Sequence, residues 1–170
     1  MKSAHRSRGF SLIELLIVVA IILIIAAIAI PNLLRARISA NEASAVQSVR
    51  AINQAEISYS TTYPGGGYAP TLASLGGAIP CSPAPTSACL LDNTLANGVK
   101  SGYNFTALGA NPVSGANTTY VAGAAPTSYN QTGVRLFCSI EDGVVRWDPN
   151  TSKSTTPPNA AACSGYAALQ

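Results

Sequence analysis

The chain has 170 residues, 48% of them hydrophobic and 10% charged, and a formal net charge of +3. Three of its ten basic side chains, Lys2, Arg6 and Arg8, precede the main apolar run, and without them seven basic side chains stand against seven acidic ones, so nucleic-acid binding through a general basic field is not indicated. The only histidine, His5, lies in the same leader, which excludes a serine triad with a neutral-pH base from the rest of the chain and argues against a Cys/His metal site.

Residues 1–9 read as a basic leader that holds an N-terminus in the cytoplasm. From Leu15 to Ile30 no side chain is polar or charged. As a helix, the 21 residues Phe10 to Ile30 extend about 31 Å at ~1.5 Å per residue, enough to span a bilayer. A secretory signal has a shorter apolar core followed by a small-residue cleavage site, whereas here the run continues into "PNLLRARISANEASAVQSVRAINQAEISYS" and the helix is expected to be retained. One carboxylate, Glu14, sits inside this run. Near the start of a helix it favours the positive end of the macrodipole, but an ionisable group in a membrane helix is costly and calls for a specific partner, here a freed α-amino group.

The stretch "RGFSLIELLIVVAIILIIAAIAIP" resembles the N-terminus of the type IV pilins and pseudopilins. The resemblance implies that a prepilin peptidase cuts after Gly9 and that the new first residue, Phe10, is methylated. Glu14 then corresponds to the assembly glutamate, which neutralises the amine of a neighbouring subunit so that both desolvated charges are compensated. The same resemblance implies a homopolymeric filament, membrane residence before assembly, and an inner-membrane assembly platform with a separate ATPase, since nothing in this chain binds nucleotide. The expected function is that of a structural subunit of a bacterial type IV pilus, an extracellular fibre serving adhesion, twitching motility or DNA uptake, with no enzymatic activity. One rival is a pseudopilin of a type II secretion system, which forms a short periplasmic pseudopilus. Another is a simple single-pass membrane protein, for which neither Glu14 nor the Gly9 to Phe10 junction matters.

Beyond the apolar run, Pro31 removes a helical donor and predicts a kink or loosening without a stop. Ile38, Ala45, Val49, Ile52, Ala55 and Tyr59 then form a stripe at helical spacing, the core face of an amphipathic continuation, with Arg37, Asn41, Ser44, Gln47, Arg50 and Gln54 opposite. "TYPGGGYAP" ends the helix. "TLASLGG" predicts a short helical turn, and "GYNFTAL", "TTYVAGAAP", "VRLFCSI" and "VVRWD" predict strands, the last two joined tightly through "EDG". The fold class is therefore α+β: a long N-terminal helix, membrane-spanning in its first half, packed through its second half on a small antiparallel sheet. Segments 1–9, 10–31, 32–62 and 63–170 are the leader, the transmembrane and assembly helix, its amphipathic continuation and the globular head.

Cys81, Cys89, Cys138 and Cys163 all lie in the head, which that orientation places outside the cytoplasm, where disulfides are expected. Count alone allows three pairings. The favoured one joins Cys81 to Cys89 across seven residues and Cys138 to Cys163, tying a polar tail from Asn150 onward to a strand. Glu141 and Asp142 read as a solvated turn rather than a calcium site, and Gly65 to Gly67 lack the lysine and Ser/Thr-headed helix of a phosphate loop. No cofactor and no metal are expected.

Overall fold

The computed structural model describes residues 10–169, so the leader, Gly9 and Gln170 lie outside the described residues. The chain divides into two compact units, Met1–Ala36 and Arg37–Gln170. One helix, α1 (Leu12–Thr62), supplies residues to both and runs through Pro31.

In the first unit, the Leu, Ile and Val side chains of α1 from Leu12 to Leu34 are exposed on every side. No α1 residue before Glu42 is buried. The helix is long and apolar enough to cross a membrane by length and composition, and an all-round apolar surface of this kind needs an apolar surrounding other than water.

The second unit is an α+β head. After α1 come α2 (Leu72–Leu75), α3 (Asn93–Ala96), β1 (Val99–Lys100), β2 (Tyr103–Val113), β3 (Ala116–Pro126), β4 (Leu136–Ile140), β5 (Arg146–Asp148), α4 (Ala160–Ser164) and β6 (Ala167–Ala168). The six strands lie in sequence order, each antiparallel to the next. Such a meander needs only short connections between neighbours.

Strand alternation explains the core. Tyr103, Phe105 and Ala107 of β2, Tyr120, Ala122 and Ala124 of β3 and Phe137 of β4 point to one face and pack with Ala45, Val49, Ile52, Ala55 and Tyr59 of α1. Each large side chain buried there contributes roughly 1.5–3 kcal/mol. The opposite face of β3 and β4 is covered as well: Val121, Cys138 and Cys163 form a second small cluster with Ile140 and Tyr166. Gly123 faces that cover, and a Cβ on it would lie 2.8 Å from the Pro158 carbonyl oxygen. The absence of a side chain at Gly123 is what lets the tail lie flat on the sheet.

α1 ends where Pro64 and three glycines follow. Ser60 Oγ donates to the Ile57 carbonyl, and both Thr61 Oγ1 and Thr62 Oγ1 donate to the Ser58 carbonyl, so these hydroxyls fold back on the last turns of the helix. Gly67 has φ +67° and its Cβ position falls on the Asn117 backbone, so the loop passes against the β2–β3 hairpin at a point only glycine tolerates.

The sheet is larger than the sequence patterns predict. β2 and β3 reach 11 residues each, because a hairpin edge needs no apolar alternation to continue its ladder. "VVRWD" is shorter as a strand, with Val144 and Val145 left in the connection from β4 to β5.

Candidate functional site

At the N-terminal end the backbone N–H of Ser11 donates to Glu14 Oε2 at 3.0 Å, and the carbonyl of Ser11 accepts from Leu15 at 3.2 Å. Ser11 is thus the residue before the first helical position and Glu14 the third position inside, one half of a capping box. The signal was legible as Ser-x-x-Glu in "SLIE". Glu14 is exposed, as are the apolar neighbours Phe10 at 78%, Leu12 at 79% and Ile13 at 63%. The site is therefore a carboxylate at the head of a helix clad in hydrocarbon through its first half, its charge stabilised, among the described residues, by its own first turn.

In the head, α1 is fastened to the sheet by polar groups as well as by its apolar stripe. Asn41 Nδ2 donates to the Thr132 carbonyl at 2.8 Å and Ser44 Oγ bonds Ser101 Oγ at 3.0 Å. Glu42, 5% exposed, accepts from the backbone N–H groups of Val134 and Arg135 at 3.0 and 3.1 Å and from Arg135 Nε at 2.8 Å, with Arg135 Nη2 2.7 Å away. The same guanidinium lies over the rings of Phe137 and Trp147, 5.5 and 5.6 Å from their centroids. Asn41 and Ser44 accordingly do not belong to the outward face on which helical spacing set them. The buried arc of α1 is wider than its apolar stripe, because Glu42, Ser48, Asn53 and Glu56 are buried with it.

Deeper in, Asn53 Nδ2 donates to Ser139 Oγ at 2.9 Å while Asn53 Oδ1 accepts from Tyr120 OH at 3.2 Å. One turn on, Glu56 Oε2 accepts from the Ala69 N–H at 2.8 Å. Burial pushes the Glu56 carboxyl up to about 7, against the opposing pull of the Ala69 N–H. Sequence reasoning missed Glu42 and Glu56, although both sit at helical spacings from the stripe. A carboxylate there reads as solvent-facing until a partner is seen.

Cys81 is bonded to Cys89 and Cys138 to Cys163. The second bond joins β4 to α4 and carries the tail on the outer face of the sheet. Of the adjacent acids, Asp142 is paired with Arg146, whose guanidinium holds its carboxyl below the ordinary 3.8. Among the described residues no group of three or more His, Cys, Asp or Glu side chains is arranged to hold a metal ion. Two open clefts of about 440 Å³ each lie on the head. One runs between α1 and the β4–β5 connection along Arg50, Gln54, Ile57 and Val144. It gathers no nucleophile and base.

An exposed apolar helix with one carboxylate near its start, carried by an α+β head built on a meander, defines a protein of pilin-like layout. Residues 4–30 match the family described as the prokaryotic N-terminal methylation motif. Over 54 residues, 32% of this chain, the sequence is 48% identical to the type IV major pilin protein PilA of Myxococcus xanthus, covering 24% of that protein. Over 38 residues, 22% of this chain, it is 67% identical to the type IV wide pilus major component PilA4 of Thermus thermophilus, covering 29% of it. The chain matches less than a third of the length of these two curated relatives. No solved structure matches it. The resemblance to the type IV pilins read from the N-terminal residues is borne out by the motif and by both relatives.

Proposed function

We propose that this chain is a structural subunit of a type IV pilus. A prepilin peptidase cuts between Gly9 and Phe10, Phe10 is methylated, and the first half of α1 holds the subunit in the inner membrane until an assembly platform with its own ATPase extracts it into an extracellular homopolymer. The observation that carries this reading is the apolar surface of α1 from Leu12 to Leu34, exposed on every side and broken by one carboxylate, Glu14. Lipid satisfies such a surface before assembly and identical helices satisfy it afterwards. Glu14 leaves its own helix cap to meet the amine at Phe10 of a neighbour, so each charge entering the bundle is compensated. That both matched relatives are named as major pilus components favours a surface fibre over a short periplasmic pseudopilus.

The test is mass spectrometry of N-terminal peptides from sheared surface material and from membranes of the same cells, with wild type and Glu14→Ala. A methylated peptide beginning at Phe10 in the sheared wild-type fraction is expected. The variant should be processed and inserted equally well yet be absent from the sheared fraction. The wild-type peptide confined to membranes points to a pseudopilin, an uncut leader in both fractions overturns the reading, and normal filaments from the variant overturn the role of Glu14.

A further inference from the structure

Glu56 has no exposed surface and is only half satisfied. Its Oε2 accepts from Ala69, while Oε1 is the one buried side-chain oxygen or nitrogen without a hydrogen-bond partner among the described residues. The groups around it carry no compensating charge. Tyr59 lies one turn further along α1, with Tyr63 packed on it at 5.0 Å, and Tyr120 faces it from β3, with Tyr68 of the loop packed on that ring at 4.7 Å. Burial pushes the hydroxyls of Tyr59 and Tyr120 above the ordinary phenol value, so both stay neutral wherever a carboxyl titrates. The salt bridges of the described residues, Lys100–Asp92, Arg135–Glu42 and Arg146–Asp142, do not include Glu56. An ionised Glu56 in this place is a buried charge held by one backbone N–H, an arrangement that costs several kcal/mol in a protein interior.

The wall that can yield is the loop from Tyr63 to Ala69. Among the described residues it supplies the one hydrogen bond to the Glu56 side chain, and at Gly65 the space where a side chain would stand is empty to 4 Å. The remaining walls, α1 and the sheet, are regular hydrogen-bonded elements, whereas the loop is held through Ala69 in the core and by hydrogen bonds between Gly66, Tyr68 and Asn117, contacts that opening would have to break. We propose that Glu56 is a proton-operated latch: as a neutral acid it stays sealed beneath residues 63–69, and on losing its proton it draws water to Oε1 by opening that loop. The burial-raised carboxyl value of about 7, against the ordinary 4.5, sets the direction. The closed loop holds a proton that the opened, hydrated state releases, so closure is favoured most below 4.5 and loses up to tenfold per pH unit between 4.5 and 7 before levelling off. This inference concerns the head alone and does not depend on the filament reading.

Hydrogen-exchange mass spectrometry of the full chain in detergent micelles, at pH 5 and pH 8 with intrinsic exchange divided out, tests it. Protection of peptides covering residues 63–69 should fall between ten- and a hundredfold from pH 5 to pH 8 in the wild type and stay level in Glu56→Gln. The same pH response in both proteins overturns the latch. An infrared titration of the wild-type carboxylic C=O band gives a second readout that survives misfolding of the variant. A buried acid titrating near 7 supports the latch, and full ionisation near 4.5 overturns it.

Discussion

Replacing Glu42 by alanine probes how the head grips α1. The substitution removes the acceptor of three hydrogen bonds, two from the backbone of Val134 and Arg135 and one from Arg135 Nε, together with an ion pair whose carboxylate side is 7% exposed. Breaking a fully buried pair from one side costs about 3–5 kcal/mol. Here the Arg135 side chain is 40% exposed and recovers water, which lowers the expected loss to roughly 2–3 kcal/mol. For a head of this size that is a fall in Tm of about 10 °C. The chain contains a single tryptophan, Trp147, whose ring lies under the same guanidinium. Its fluorescence during urea unfolding of the detergent-solubilised chain therefore reports the clamp directly. Because Glu42 and Arg135 share one network, the E42A/R135A cycle should give a coupling of about 1–2 kcal/mol. A loss below 0.5 kcal/mol for E42A, or strictly additive single substitutions, would refute the argument that this carboxylate anchors the helix.

The two disulfides should stabilise unequally. Loop-closure entropy predicts about 3.5 kcal/mol for Cys138–Cys163, whose partners are 25 positions apart, and about 2.5 kcal/mol for Cys81–Cys89, 8 positions apart. Denaturant midpoints of the two Cys→Ser pairs check the order, and limited proteolysis should cut the tail beyond Asn150 only when the longer bridge is missing. Asp142 has a carboxyl lowered by Arg146, so its contribution is present above the ordinary aspartate value of 3.8 and is lost as pH falls through the lower folded value. Asp142→Asn should therefore lower stability slightly at pH 7, with the difference from wild type vanishing as pH falls below the folded value, which flattens the acid limb. The effect is small, because the carboxylate is partly exposed.

Hydrocarbon patterning in the sequence determined the apolar first half of α1. An unbroken apolar run has one low-energy form in lipid, a helix, and a lone carboxylate within it is unexplained without a partner. Local signals decided further elements for the same kind of reason: Pro64 and three glycines end α1 whatever follows, and "TLASL" and the β-rich runs became α2, β2, β3 and β4. The extent of the sheet was not legible, since hairpin ladders continue through residues such as "GANPV" on backbone pairing alone.

What only the tertiary structure decided is where polar groups go. Glu42 and Glu56 look in the sequence like ordinary solvent-facing acids of an amphipathic helix, yet one holds Arg135 and two backbone N–H groups while the other lies sealed beneath a loop. The polar tail, too poor in apolar residues to order alone, gains its place from Gly123, which lets it approach the sheet, and from Cys163, which bonds it there. Periodicity reports how a chain partitions between water and oil. A buried hydrogen bond depends on a partner some ninety residues away, and that partner exists only once the chain has folded.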